Sequence, residues 1–147
     1  MTTVFTIGYQ ESTLDAVRET LAAVGVRLLA DVRAVTASRR PGFSKRQLRA
    51  GLAAGGIDYL HLRDLGTPAE GRLAARTGRY EDLRRIYEEH LATPAAQAEL
   101  EELVRLAASD RPICLLCFER RPEHCHRRIL AERLRERLGV EIVDLLP

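Results

Sequence analysis

Tryptophan is absent from this sequence, there are only three phenylalanines and four tyrosines, and Lys45 is the only lysine. With so few large rings the core has to be assembled from Leu, Val, Ile and Ala. The scattered aromatics also offer no platform of the kind that stacks single-stranded bases. No apolar run approaches the roughly 20 residues that span a bilayer, so no membrane partner is expected. The segment Met1-Thr2-Thr3-Val4-Phe5 lacks a basic stretch followed by an apolar one, so no export signal is visible and a cytoplasmic location is expected. Cysteine is scarce too: three residues, an odd number, argue against a disulfide framework.

The net charge of +2 supplies no long-range field that would gather nucleic acid by itself. Cation choice falls almost wholly on arginine, a bias that GC-rich coding produces without any functional meaning. Each arginine must therefore be judged by its placement. A hydrophobic share of 46% against 30% charged excludes wholesale disorder. At 147 residues, with no repeat, linker or low-complexity tract, one α/β domain over 1–147 is expected.

Short apolar runs alternate with amphipathic segments, the signature of a parallel sheet with helical crossovers. Strands are expected at Val4–Gly8, Val26–Val32, Ile57–Leu62, Ile113–Phe118 and Val140–Leu145. Ser12 to Asp15 reads as a capping box for a first helix, and Ser44 with Gln47 as another, with Phe43 and Leu48 as its hydrophobic staple. Leucine stripes at helical spacing follow Tyr80 and Thr93-Pro94, and a last helix is expected over Pro122–Leu138. Residues 66–78 hold three glycines and a proline and read as a loop or lid. The expected architecture is a mostly parallel sheet of about five strands with helices on both faces, a three-layer fold of Rossmann-like or flavodoxin-like type.

Ligands of such sheets bind beyond the carboxyl ends of the strands. Here those ends deliver Gly8-Tyr9, Asp31-Val32-Arg33, Tyr59 to His61, and Cys117-Phe118-Glu119. In the final helix His126, Leu130, Leu134 and Leu138 repeat every four residues, which turns His126 inward. Cys125 and His126 fall in the first turn, where free N–H groups and the helix dipole favour an anion or a thiolate. Cys117 and Cys125 are therefore the alternative nucleophiles, with Glu119 or His126 moving protons. Tyr9, Arg33, Ser38, Arg39, His61 and Arg127 are candidates for gripping an anionic group, and Asp31 for orienting Arg33 or acting as a base; an ion pair between Asp31 and Arg33 closing the sheet edge is the competing reading. Cys114, three residues from Cys117, points to the opposite face and reads as core. Zinc on Cys117, Cys125, His126 and His61 is a further alternative, although an adjacent Cys-His pair is not a standard spacing.

Thr6-Ile7-Gly8-Tyr9, Asp31-Val32-Arg33 with Ser38-Arg39, Phe43-Ser44, Leu65-Gly66 and, above all, Leu116-Cys117-Phe118-Glu119 with Cys125-His126-Arg127 resemble the signature of the domain of unknown function 488 family. The motifs follow the family's order over nearly the whole chain. The resemblance implies a compact bacterial or archaeal α/β domain and leaves the reaction open. It marks Gly8, Tyr9, Asp31, Arg33, Ser38, Arg39, Gly66, Cys117, Glu119, Cys125, His126 and Arg127 as signature positions. Thr36 and Thr67 depart from it, where proline and glycine are common. The expectation is an enzyme acting on a small anionic ligand such as a nucleotide, with no cofactor. A nucleotide- or nucleic-acid-binding module and a structural zinc domain are the alternatives.

Overall fold

The computed structural model describes residues 2–147. Its strands are β1 (Thr3–Gly8), β2 (Leu28–Asp31), β3 (Asp58–His61), β4 (Ile113–Cys117) and β5 (Glu141–Leu145). They form one five-stranded, all-parallel sheet in the order β3-β2-β4-β1-β5. The connecting helices are α1 (Leu14–Ala23), α2 (Lys45–Ala53), α3 (Ala69–Arg76), α4 (Tyr80–Leu91), α5 (Pro94–Ala107) and α6 (His126–Leu138). None of them is long and apolar enough to cross a membrane.

The continuous apolar run in β4 follows from its place at the centre of the sheet, flanked by β1 and β2 and covered on both faces. Ile113, Leu115 and Cys117 pack with Tyr87, Leu103 and Leu130 from α4, α5 and α6. Cys114 and Leu116 pack on the other side with Val17, Leu21, Leu48 and Leu52 from α1 and α2. The alternation of a strand thus divides one segment between two cores. Cys114 is fully buried, as expected of a core residue, and burial pushes its thiol pKa up.

Register levels the carboxyl edge of the sheet. Gly8 lies beside Cys117, and Asp31 beside Leu116, so β1, β2 and β4 end nearly level. The chain leaves β1 and β2 toward α1 and α2, but leaves β4 toward α6 on the opposite face. Neighbouring strands whose connections part in this way leave a crevice at their carboxyl ends.

Local details differ from expectation in four places. The N-cap of α1 is Thr13, whose hydroxyl accepts from Ala16 N at 3.1 Å, one residue beyond the expected Ser12. Ser44 does precede α2, but its hydroxyl makes no cap bond; it donates to Ser38 O (3.2 Å) and accepts from Ser38 N (3.0 Å), which folds the loop after β2. The last helix begins at His126 because Pro122–His124 form a separate 3-10 turn and Cys125 is extended (φ −138°, ψ 148°). Residues 66–78, expected to be a loop or lid, contain α3. Its Gly71 serves close packing against Thr67, Leu83 and Ile86, and the turn comes only at Gly78 (φ 75°).

Gly8 is the tightest point of the edge, since a Cβ there would overlap the carbonyl group of Glu119 and touch Arg127 Nη1. Gly8→Ala is expected to cost about 1–3 kcal/mol by overpacking, read as a lower urea midpoint; an unchanged midpoint would contradict this close approach.

Candidate functional site

Where β2 ends, Asp31 is fully buried and accepts four hydrogen bonds. Arg33 supplies three, from its backbone N (3.1 Å), Nε (2.9 Å) and Nη2 (2.7 Å), and Tyr59 OH supplies the fourth at 2.5 Å. The other guanidinium nitrogen of Arg33 donates to Tyr9 OH (3.1 Å) and Phe43 O (2.8 Å). Tyr9 in turn stacks on Phe43 with ring centroids 4.3 Å apart. This is a buried bidentate ion pair that pins β1, β2, β3 and the following loop together. Asp31 has no lone pair to spare for substrate, and Arg33 retains one Nη2 N–H.

Beyond these residues a cavity of about 230 Å³ opens in the crevice astride β4. Its floor holds Cys117, Cys125 and His126, and its walls include Tyr9, Arg33, Thr67, Arg72, Arg76, Glu119 and His124. Four of those wall residues are arginine or histidine, and Glu119 is the one carboxylate. Burial raises the Glu119 pKa against the pull of His124, Arg127 and Arg76. Thr67 is 4% exposed, and among the described residues its hydroxyl meets no hydrogen-bond partner. Arg120 and Arg121 continue the basic surface at the outer rim, where His124 stacks on Tyr80.

On the floor, the short turn at Pro122–His124 folds the chain back so that Cys117 and Cys125 meet as a disulfide across eight residues. This corrects the expectation drawn from the odd cysteine count. Cys114 is the one left over, on the other face of β4. The pair's Cα atoms stand 7.4 Å apart. His126 Nε2 lies 2.6 Å from Val32 O, and a carbonyl only accepts, so Nε2 carries the proton. Nδ1 then presents its lone pair to Cys125 Sγ at 3.6 Å. Burial pushes the His126 pKa down to about 4, which keeps the ring neutral.

Arg127 lies beneath this floor and is fully buried. It donates to Thr6 Oγ1 (3.2 Å), Cys117 Sγ (3.1 Å), Glu119 O (2.5 Å) and Arg120 O (3.1 Å). Among the described residues no carboxylate lies within ion-pair distance of it. Asp144 reaches it only through Thr6, whose hydroxyl donates to Asp144 at 2.5 Å. Burial lowers the Arg127 pKa to about 10, with Asp144 opposing, so the group remains a cation at neutral pH.

The structure therefore brings together Tyr9, Arg33, Cys117, Glu119, Cys125 and His126. Arg127 contacts Cys117 from below instead of facing the cavity. Asp31 serves Arg33, and His61 bonds Arg33 O through Nε2 at 2.8 Å. Ser38 Oγ accepts from Arg40 N and shapes the loop, while Arg39 is exposed and off the cavity wall. The sequence reading missed Arg72, Arg76, His124 and Thr67. Arg72 and Arg76 lie one helical turn apart on α3, a spacing that signals a shared face once the segment is known to be helical.

A family model described as "Domain of unknown function DUF488" matches residues 13–134. No curated protein and no solved structure matches the chain.

Asp31→Ala leaves a buried guanidinium without its counter-charge and is expected to cost about 3–5 kcal/mol. Tyr59→Phe, which removes one of the four bonds, should cost about 1 kcal/mol. Urea denaturation compares the two; equal losses would refute the central place of the ion pair.

Proposed function

The chain belongs to the DUF488 family, whose description assigns no reaction, and we propose from its own chemistry that it is an enzyme acting on a phosphorylated or otherwise anionic small substrate of nucleotide class. One observation carries this reading: Arg72 and Arg76 of α3 line a cavity whose walls, among the described residues, hold one carboxylate, and Arg33 and His124 add polar groups to the same space. Arginine on α3 binds the anionic group, and Arg120 and Arg121 at the rim guide it in. Once the Cys117–Cys125 disulfide is reduced, thiol and imidazole groups form the reactive floor, and Glu119, facing the same space, carries protons.

The Cys117 sulfur accepts a hydrogen bond from Arg127 Nη1, a group with no carboxylate at ion-pair distance among the described residues. Cys125 instead faces the free lone pair of His126 Nδ1, a base within reach of its proton. The competing reading is a binding module for nucleotide or nucleic acid, favoured by the basic rim of Arg76, Arg120 and Arg121.

Thermal melting of the reduced protein against nucleotides, phosphosugars and short oligonucleotides tests the proposal. A nucleotide or phosphosugar at a hundredfold excess over its Kd should stabilise the fold by about 2.7 kcal/mol, and Arg72→Ala or Arg76→Ala should remove the shift. A panel in which no anion raises the melt refutes the anionic substrate. Tight binding confined to oligonucleotide, falling steeply with salt, transfers the assignment to the nucleic-acid module.

A further inference from the structure

We propose that, in the reduced chain, Cys117 Sγ, Cys125 Sγ and His126 Nδ1 bind a zinc-type divalent ion whose fourth coordination position opens into the cavity. The inference rests on the preceding reading only for what the open position faces. These three donor atoms lie within 4.8 Å of one another. Two thiolates with one imidazole select zinc over the hard oxygen-seeking cations. In a tetrahedral zinc site a sulfur and a nitrogen ligand stand about 3.6 Å apart, given their bond lengths. Cys125 Sγ and His126 Nδ1 are 3.6 Å apart.

Neighbouring residues serve as joint ligands here because Cys125 is extended and the helix starts only at His126. That break turns both side chains toward Cys117. The Cα atoms of the two cysteines, 7.4 Å apart, exceed the usual disulfide span of about 4.4–6.8 Å. They leave room for two thiolates to stand about 3.8 Å apart on opposite sides of an ion.

The surroundings are those of a ligand set. His126 gives its second ring N–H to Val32 O, the bond that fixes which nitrogen is free for a metal. Arg127 Nη1 donates to Cys117 Sγ and supports it as a thiolate. Structural zinc sites are closed by four protein ligands, whereas catalytic ones keep three and an open position. His61, the fourth ligand expected from sequence, is engaged with Arg33 O and lies outside the donor group. All three donors border the cavity, together with Glu119 and Thr67. An ion held there would present a bound water or an anionic substrate oxygen to those residues.

Cobalt(II) added anaerobically to the reduced, metal-free wild-type chain is the test. One equivalent should bind, with a near-ultraviolet thiolate-to-cobalt band and intense visible bands of a four-coordinate ion. Inorganic phosphate should then perturb the visible bands. Cys117→Ser and Cys125→Ser should each lose at least tenfold in cobalt affinity, with folding checked by circular dichroism, whereas Arg72→Ala should keep the cobalt spectrum. Absence of a thiolate band in folded, reduced wild-type protein overturns the proposal and leaves the cysteines as a redox pair. A four-coordinate spectrum insensitive to phosphate overturns the open position. Metal binding without any anion-induced melting shift would sink the substrate reading alone, and anion binding without metal would sink this one alone.

Discussion

A buried cation without a carboxylate of its own is costly, and the carboxyl edge of this sheet is organised around one. Arg127 must place five N–H groups in a space that excludes water. It does so by drawing in the ends of other elements: Thr6 from β1, Cys117 from β4, and the carbonyls of Glu119 and Arg120 beyond it. Through Thr6 it also reaches Asp144 on β5. The bend after β4, the absence of a side chain at Gly8 and the return of the chain to α6 all serve this single guanidinium. One of its partners is a cavity-floor sulfur, so this packing reaches the cavity directly.

The ion pair of Asp31 and Arg33 does the corresponding work at β2. It is a neutral unit, with charge cancelled and nearly every donor used. A pair satisfied to that degree is a scaffold, and its role is to place Tyr9 and the loop after β2. The two buried arginines therefore differ in kind. Arg33 brings its own counter-ion, while Arg127 lends its charge to Cys117. The other arginines of the cavity, Arg72 and Arg76, come from elsewhere, on α3.

In the proposed function this division separates rigidity from recognition. Parallel strands level at their carboxyl ends hold the floor, whose groups are buried and hydrogen-bonded. The basic wall sits on α3, which is packed on α4 through the small surface of Gly71. A wall built on a separate short helix can differ in its arginines without disturbing the floor, and Thr67, at the foot of that helix, belongs to the wall.

Much of the fold was legible because its signal is local. Apolar runs punctuated by glycine and capped helices specify parallel strands and crossovers, and strand alternation already assigned Cys114 and Cys117 to opposite faces. The residues at the strand ends were legible for the same reason, since a polar side chain closing an apolar run marks the point where the strand leaves the core. Hydrogen-bond partners could not be read in this way. Whether Ser44 caps its helix or holds Ser38, whether Arg127 faces a ligand or a sulfur, and whether residues 66–78 form a loop or carry arginines on a helix depend on partners far apart in sequence. The meeting of Cys117, Cys125 and His126 likewise depends on an extended residue between two helical turns. Sequence periodicity determines which face a side chain takes; only the packed chain decides which atom it meets there.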